Sequence, residues 1–299
     1  MGEPILFSII IPTYNRADKI PKTITSLLAQ SWKNFEIIVV DDGSTDNTKD
    51  IIQSFNDPRI KYFWKENAER GAARNYGVVR ASGNYDNYFD SDDLAYPNHL
   101  QKAAELINRH DFPELFHLGY DHRTEEGKLL RRMNKFDGNL VNYAIKTKHI
   151  SPISLFIRKD IALQFPFSEN REFVMGEDAF HLCQLVARYR LYFDNTITSS
   201  LIQHDARSMS TSDESIYLYC KDHITEALRH DAVFMKVYGQ YVPAIGNEYI
   251  YMIWLNCLMN HDNKKAWKYF KIYTKAGDRN ILSRRTLVFF KKYVYNLFA

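Results

Sequence analysis

Apolar runs and helical periodicities alternate along the first hundred residues. The segments FSIII at 7–11 and FEIIVV at 35–40 are apolar runs with a single polar residue each, a composition typical of strands buried on both faces of a parallel sheet. Between these runs, Ile20, Ile24 and Leu27 recur at a spacing of about 3.6 residues, which predicts a helix. The alternation predicts a doubly wound sheet of the α/β class. Further along, the pattern predicts a helix at 46–55, a short strand at 60–63, a helix from about 73 to 80 and a strand at 84–89.

Polar clusters follow three of the predicted strands: TYNR at 13–16, DDGS at 41–44 and DSDD at 90–93. Open α/β sheets bind ligands in the crevice outside the carboxyl ends of their strands, so we expect these clusters to converge on one pocket. Helix capping would explain any single cluster, because Asp and Ser are good cap and turn residues, but three converging clusters favour a site. A GxGxxG fingerprint or P-loop does not follow the first strand, which argues against NAD enzymes and ordinary nucleoside triphosphatases.

The DSDD cluster puts the carboxylates of Asp90, Asp92 and Asp93 close together, where they repel one another. A carboxylate pair of the form Asp-x-Asp at a strand end suits a hard divalent ion such as Mg²⁺ or Mn²⁺. Such ions are often held by one or two carboxylates together with substrate phosphates. We therefore predict that this cluster binds a metal ion that carries a diphosphate.

From about residue 213 the periodicity is helical, and the charge changes as well. The formal net charge is +3, but residues 260–299 contain ten Lys or Arg and two Asp, which leaves −5 for the first 259 residues. Wound as a helix, the tail at 282–299 gathers Arg284, Arg285, Lys291 and Lys292 in an arc of about 120° opposite apolar residues. This tail either packs its apolar side on the catalytic domain or lies in an anionic membrane surface. We favour peripheral membrane binding through residues from about 260, with the tail at 279–299 as the contact.

The cysteines and the N-terminal segment indicate the cellular compartment of the protein. Cys183, Cys220 and Cys257 stand far apart without a CxxC pair, so a zinc site or disulfide framework is not expected and reducing cytosol fits best. The apolar run at 5–11 is too short to span a bilayer and has no cationic leader. We therefore expect a cytoplasmic protein, with the cytoplasmic face of the membrane as its possible peripheral location.

Five motifs occur in order along the chain: IIIPTYNR, EIIVVDDGSTDNT, ERGAARNYGVVRASGNY, YFDSDD and GED. Together, over residues 7 to about 210, they resemble the family 2 glycosyltransferases of the GT-A fold. The resemblance implies a GT-A catalytic domain at 1–212, built on a Rossmann-like doubly wound mixed sheet. Its nucleotide-binding half would span about 1–100 and its acceptor-binding half about 101–212. A helical region at 213–299 would follow it.

The resemblance also implies a reaction and its partners. The enzyme would move one sugar, with inversion, from a nucleotide diphosphate sugar to a hydroxyl of a saccharide or lipid-linked saccharide in cell-surface polysaccharide or glycan synthesis. A UDP-sugar is the favoured donor, Mn²⁺ or Mg²⁺ the cofactor, and no nucleic acid partner is expected. The QxxRW signature of processive synthases is missing, and DSDDLAYP differs from the DADLQ form of polyprenyl-phosphate sugar synthases, which favours transfer of a single sugar.

Individual residues receive roles from the same resemblance. Tyr14 would stack on the base, Asp42 would hydrogen-bond uracil, and Arg74 would approach the base or the phosphates. Asp90 would take the ribose hydroxyls. The residues implied to bind the nucleotide are Pro12, Thr13, Tyr14, Arg16, Asp42, Asn67, Arg74, Asp90 and Ser91. Those implied to hold the metal are Asp92, Asp90 and His204, although His204 is alternatively a histidine of a surface loop.

The GED motif supplies the remaining part of the reaction. In the family, the aspartate of this pair deprotonates the acceptor hydroxyl, which makes Asp178 the catalytic base and Glu177 a supporting or acceptor-contacting residue. Helix capping is the alternative explanation for this acidic pair. One departure from the family is Asp86, which stands in the strand before DSDD where an apolar residue is usual. Its effect would be on local packing or on the acceptor.

Two rival functions remain open at this point. A sugar nucleotidyltransferase would share the α/β layout and the carboxylate pair, but it would need a glycine-rich basic loop after the first strand, and PTYNR is not one. A non-catalytic saccharide-binding scaffold would not need the intact DSD and ED pairs. Both rivals therefore fit the sequence less well than a glycosyltransferase.

Overall fold

The computed structural model describes residues 5–133, 135–136, 138, 140, 150–204, 213–275, 287, 289–291 and 293–294. The chain divides into two compact units, Met1–His204 and Asp205–Ala299, which we call the α/β unit and the helical unit. The domain boundary predicted at residue 212 falls in the segment 205–212, which lies outside the described residues.

The α/β unit is built on one mixed sheet, whose strands follow the order β3-β2-β1-β4-β8-β6-β9-β5, with β7 paired to β6. The described strands are β1 (Phe7–Thr13), β2 (Phe35–Asp41), β3 (Ile60–Trp64), β4 (Tyr85–Tyr88), β5 (Leu94–Ala95), β6 (Leu115–Thr124), β7 (Leu129–Arg132), β8 (Leu155–Arg158) and β9 (Leu191–Gln203). The described helices of this unit are α1 (Ile20–Leu28), α2 (Thr48–Ser54), α3 (Glu69–Arg80), α4 (His99–Arg109), α5 (Lys159–Gln164) and α6 (Glu177–Val186).

The first four strands of the sheet order are parallel, and the predicted doubly wound mixed sheet is confirmed. Successive residues of β1 face opposite sides, so Ile9 and Ile11 join the core beneath α1 while Ile10 faces α3. Helix α3 approaches the sheet closely because residue 77 is glycine. A Cβ atom there would lie only 2.5 Å from Cγ2 of Ile10.

The order of the parallel strands brings the polar clusters together. Strands β2, β1 and β4 are neighbours, so TYNR, DDGS and DSDD all follow carboxyl ends at the same edge of the sheet. The backbone joins two of these loops, since the amide of Asp42 donates to the carbonyl of Thr13 over 2.8 Å. Beyond β4 the sheet becomes mixed: β8 runs antiparallel to β4 and β6, and β9 runs parallel to β6.

The helical unit contains α7 (Glu214–His230), α8 (Ala232–Tyr238), α9 (Val242–Met259) and α10 (Asn263–Lys275) among its described residues. Helix α9 packs against both α7 and α10, with the Trp254 side chain fully buried. No helix in the described part of the chain is long and apolar enough to cross a membrane.

Only part of the predicted tail helix is described. Phe289 is fully buried in the helical unit, where its ring stacks on Phe270 with centroids 4.0 Å apart and meets Trp254 edge-on. The tail therefore packs on α9 and α10 through this residue. Several residues on which the tail prediction rests lie outside the described residues: Leu282, Arg284, Arg285, Lys292, Leu297 and Phe298.

Asp86 lies inside the sheet, paired in register with Ser8 of β1 and Ile157 of β8. Its side chain is completely buried, and a carboxylate oxygen lies 3.6 Å from Nζ of Lys159. Burial raises the pKa of Asp86 to about 7, against the opposing effect of the Lys159 ammonium. The unusual aspartate therefore affects packing, because it has no surface with which to contact an acceptor.

The Asp86→Asn variant is expected to gain stability at pH 8 relative to the natural protein, and to gain less at pH 5. The unfolded chain releases this proton near the ordinary pKa of 3.8, whereas the folded protein keeps it until about pH 7. The stability linked to Asp86 is thus full below the lower value and is lost progressively until the pH passes the higher one. The total loss is on the order of 4 kcal/mol, of which about 3 kcal/mol falls between pH 5 and 8. Urea unfolding of both proteins from pH 5 to 8 measures it, and a pH-independent difference would contradict the assignment.

Candidate active site

The DSDD cluster forms a turn after β4 in which the side chains have different roles. Asp93 is fully buried, and its Oδ1 accepts a hydrogen bond from the amide of Ile202 in β9 over 2.8 Å. The carbonyl of Ser91 accepts from Oγ1 of Thr23 in α1 over 3.0 Å. These two residues anchor the turn to the unit. Asp90, one-third exposed, and Asp92, one-tenth exposed, keep more access to solvent.

Asp92 lies beside two residues that the sequence also singled out. Its Oδ2 is 2.9 Å from Nε2 of His204 and 4.0 Å from Nε of Arg16. The structure thus brings together two of the predicted metal ligands, which are 112 residues apart in the sequence. Nδ1 of His204 is buried and has no hydrogen-bond partner among the described residues.

This pair fits a divalent ion in the kind of donor that it offers. Carboxylate oxygens suit both Mn²⁺ and Mg²⁺, and diphosphate oxygens commonly complete such sites, whereas the imidazole nitrogen is a softer ligand that fits Mg²⁺ less well. The described residues do not contain a preformed cluster of three or more His, Cys, Asp or Glu side chains around one point. The described structure therefore does not gather the predicted ligand Asp90 with the Asp92–His204 pair, and a metal bound to this pair would take its remaining ligands from its substrate.

A buried chain of charges connects Asp90 to the GED motif. Arg74 in α3 lies 3.2 Å from an oxygen of Asp90 and 3.4 Å from Oε1 of Glu177, and its side chain is almost completely buried. Nε of Arg70 lies 2.6 Å from the same Oε1. Arg74 therefore forms ion pairs with both the carboxylate at the end of β4 and the carboxylate at the start of α6, and these pairs fix the position of its guanidinium group.

Glu177 and Asp178 are adjacent in sequence but have different environments. Glu177 is buried, and burial raises its pKa to about 7 although the guanidinium groups of Arg70 and Arg74 act in the opposite direction. Oε2 of Glu177 has no hydrogen-bond partner among the described residues. Asp178 is exposed in the first turn of α6, a position where the helix dipole favours a carboxylate. Its Oδ1 accepts from the amide of Ala179 over 2.7 Å.

The loops that follow β2 and β3 hold Asp42 firmly. Its buried carboxylate accepts from Nζ of Lys65 over 2.6 Å and from the amide of Ala68 over 3.0 Å. Nδ2 of Asn67 donates to the carbonyl of Asp42 over 2.9 Å, so these two predicted nucleotide contacts form one unit.

The remaining predicted contacts lie along the end of β1. Pro12 and Thr13 are the last residues of the strand, and Oγ1 of Thr13 is buried without a partner among the described residues. Tyr14 follows them and is 48% exposed, which leaves a ring face open for stacking. This geometry is compatible with a planar base at the edge of the sheet.

Sequence reasoning missed Arg70 and Lys65, the cations that neutralise Glu177 and Asp42. One signal was available for Arg70, because it precedes Arg74 by four residues and therefore shares its face of α3. The pairing of Lys65 with Asp42 depends on the neighbouring positions of β2 and β3, and its residue type alone did not indicate it.

Comparison with known proteins decides the family. Residues 8–163 match the model of glycosyl transferase family 2, which is more than half of the chain. The chain belongs to glycosyl transferase family 2. The family that the motifs predicted is therefore confirmed.

Relatives of this glycosyltransferase match it over different lengths. An uncharacterized glycosyltransferase of Rickettsia typhi is 33% identical over 218 residues, covering 69% of this chain and 67% of its own. TuaG of Bacillus subtilis, a glycosyltransferase assigned by name to teichuronic acid biosynthesis, is 32% identical over 209 residues, covering 65% of this chain and 82% of its own. An uncharacterized glycosyltransferase of Rickettsia conorii is 43% identical over 129 residues, and the match spans only 21% of that relative's length.

Solved structures share the fold at low sequence identity. Staphylococcus aureus TarS 1–349, in complex with UDP-GlcNAc, has a TM-score of 0.62 and 18% identity, with 91% of each chain covered. The mannosyltransferase PcManGT of Pyrobaculum calidifontis, in complex with GDP-Man and Mn²⁺, has a TM-score of 0.61 and 13% identity, covering 99% of this chain and 86% of that one. These likenesses confirm the GT-A fold.

The site of this glycosyltransferase has two parts with different chemistry. The end of β4 offers partly exposed carboxylates beside an imidazole and the Arg16 guanidinium, a combination able to hold a cation and the anion that the cation carries. The start of α6 offers an exposed carboxylate, Asp178, which is able to accept a proton from a hydroxyl group. Arg74 connects the two parts through its ion pairs with Asp90 and Glu177.

Proposed function

We propose that this family 2 glycosyltransferase transfers one sugar, with inversion, from a UDP-sugar to a hydroxyl of a saccharide or lipid-linked saccharide in cell-surface polysaccharide synthesis. The observation that carries the proposal is the ion-paired connection from Asp90 through Arg74 to Glu177. It holds a donor-side carboxylate and the residue next to Asp178 in one rigid arrangement. A direct displacement needs donor and catalytic base in a fixed relation to the anomeric carbon, and this connection would help to provide it.

On the donor side, the uracil ring would stack on Tyr14 and donate its N–H to the carboxylate of Asp42, while Pro12, Thr13 and Asn67 would line the pocket. Asp90 would bind the ribose hydroxyls, with Ser91 and Arg74 beside it. Asp92 and His204, with Asp90, would hold Mn²⁺ or Mg²⁺. When bound, such an ion neutralises negative charge on the diphosphate. Arg16, 4.0 Å from Asp92, would contribute a further positive charge at this edge.

On the acceptor side, Asp178 would act as the base. Its carboxylate takes the proton of the acceptor hydroxyl while that oxygen forms a bond to the anomeric carbon. The bond from that carbon to the diphosphate oxygen breaks, and the nucleoside diphosphate leaves with the electron pair. Attack from the face opposite the leaving group inverts the anomeric configuration. Glu177 would position Asp178 through the start of α6, where Arg70 and Arg74 fix its side chain.

The two rival functions have less support. A nucleotidyltransferase would need a glycine-rich basic loop after β1, and PTYNR occupies that position. Membership of family 2 also favours transfer of the sugar over transfer of the nucleotide. A non-catalytic scaffold does not account for an exposed Asp178 beside a buried Glu177 that is paired with Arg70 and Arg74.

The choice of nucleotide is the part of the proposal that needs testing first. Structural neighbours hold different donors, UDP-GlcNAc in TarS and GDP-Man in PcManGT. We expect UDP to bind at least about tenfold more tightly than GDP in the presence of Mn²⁺, because one hydrogen bond to a charged group contributes about 1.5–3 kcal/mol. Titration calorimetry with both nucleotides measures the ratio, and tighter binding of GDP would overturn the uridine assignment. A thermal-shift panel of UDP-sugars then identifies the donor.

A further inference from the structure

Helix α10 presents a basic face. Five exposed lysines fall within an arc of about 120° when the helix is wound at about 100° per residue, and the buried residues of the helix lie on the other side. These lysines are Lys264, Lys265, Lys268, Lys271 and Lys275. Lys265 and Lys268 lie near Glu214, while the other three have no ion-pair partner among the described residues.

The described tail residues have a second apolar face besides the one that packs. Phe289 is buried against α9 and α10, but Leu287, Phe290 and Val294 are 60%, 40% and 49% exposed. Their spacing of three and four residues puts them on one side of a helix. The outer face of a surface helix is typically polar, so a row of three exposed apolar residues distinguishes this side of the tail.

The basic and the apolar surfaces meet at Trp267. Nζ of Lys271 lies 5.6 Å from the centroid of the Trp267 ring, and the same ring meets Phe290 edge-on at 6.3 Å. Trp267 is itself only half-buried. Tryptophan is enriched where proteins meet the interface between lipid and water, because its ring is apolar and its N–H is polar.

We propose that this surface, formed by the lysine face of α10 together with Trp267, Leu287, Phe290 and Val294, binds an anionic lipid membrane. The exposed apolar side chains enter the boundary between headgroups and acyl chains, and the lysines contact anionic headgroups beside them. Charge complementarity distinguishes lipid from a second copy of this chain, because two copies meeting through this face would bring two rows of lysines together. The inference concerns the helical unit alone and does not depend on the proposed reaction.

Cosedimentation of the full chain with vesicles tests this proposal. The natural protein should bind vesicles that contain phosphatidylserine, bind phosphatidylcholine vesicles more weakly, and lose affinity in high salt. The Phe290→Glu/Val294→Glu variant should bind anionic vesicles at least about tenfold more weakly. Replacing Lys264, Lys271 and Lys275 by Gln should cost about fivefold for each lysine.

The matched control is Val233→Glu/Val237→Glu, which exchanges two similarly exposed apolar residues, 41% and 47% exposed, in a different helix of the same unit, α8. It should bind vesicles like the natural protein. Circular dichroism checks that each variant is folded. Absence of binding by the natural protein, or equal loss in the control, would overturn the proposal. So would a natural dimer, seen by sedimentation velocity, that the Phe290→Glu/Val294→Glu variant converts to monomers.

Discussion

Replacing Asp178 by Asn is expected to abolish sugar transfer while leaving UDP affinity nearly unchanged. The amide keeps the size of the carboxylate but cannot accept the proton of the acceptor hydroxyl, and loss of a general base costs about 10²- to 10⁴-fold in rate. Because Asp178 is exposed at the start of α6, the exchange should cost little stability. Turnover of the donor with acceptor, and calorimetry with UDP, measure the two quantities on the same protein.

Asp160→Asn is the matched control for this experiment. Asp160 is also an exposed aspartate in the first turn of a helix of the α/β unit, and its ion pair with Arg158 lies at the surface. The variant should retain full transfer activity. Near-normal turnover by the Asp178→Asn variant would assign Asp178 to helix capping alone and would remove it from the mechanism.

Replacing Asp92 by Ala is expected to remove the part of UDP binding that depends on Mn²⁺. In the natural protein, Mn²⁺ should strengthen UDP binding, because the ion links the diphosphate to carboxylates at the end of β4. Without Asp92, His204 loses the carboxylate 2.9 Å from its Nε2, and Mn²⁺ should change UDP affinity by less than about twofold. Calorimetry with and without Mn²⁺ measures the difference.

The Asp178→Asn and Asp92→Ala variants serve as controls for each other. The first should keep metal-dependent binding and lose turnover, and the second should lose both. Full metal-dependent binding by the Asp92→Ala protein would reduce Asp92 to an ion-pair partner of His204 and Arg16.

The parallel half of the sheet could be predicted from the sequence because its signals are local. Strands β1 and β2 are mainly apolar and buried on both faces, and the helix between them, α1, has a clear periodicity. The clustering of TYNR, DDGS and DSDD at one edge followed from the parallel order alone. The mixed half beyond β4 was harder to parse for a physical reason that β9 illustrates.

Strand β9 does not follow an alternating pattern of apolar and polar residues. Thr198, Ser199 and Ser200 are consecutive, polar and fully buried, because partners on other strands and helices satisfy them. Oγ of Ser200 donates to Asp121, and Oγ of Ser199 lies 2.8 Å from Oγ of Ser154. Such pairings join residues far apart in the chain, so composition and periodicity do not reveal them.

The site shows the same division between local and long-range information. The motifs indicated Asp90, Asp92 and Asp178 by residue type and position. The anchoring of Asp93 by Ile202, 109 residues away, could not be predicted from DSDD itself. The arginine pair around Glu177 likewise depends on contacts across more than a hundred residues.

The most direct test of the proposed function is the identity of the phosphorus products. The protein, with Mn²⁺, is incubated with a UDP-sugar that stabilises it, and the products are followed by ³¹P NMR with and without saccharide acceptors. A parallel sample contains UTP and the sugar 1-phosphate. We predict UDP from the first sample, in amounts that acceptor increases and Asp178→Asn removes, and an unchanged second sample. Pyrophosphate in the second sample, or an intact UDP-sugar in the first under all conditions, would contradict the account.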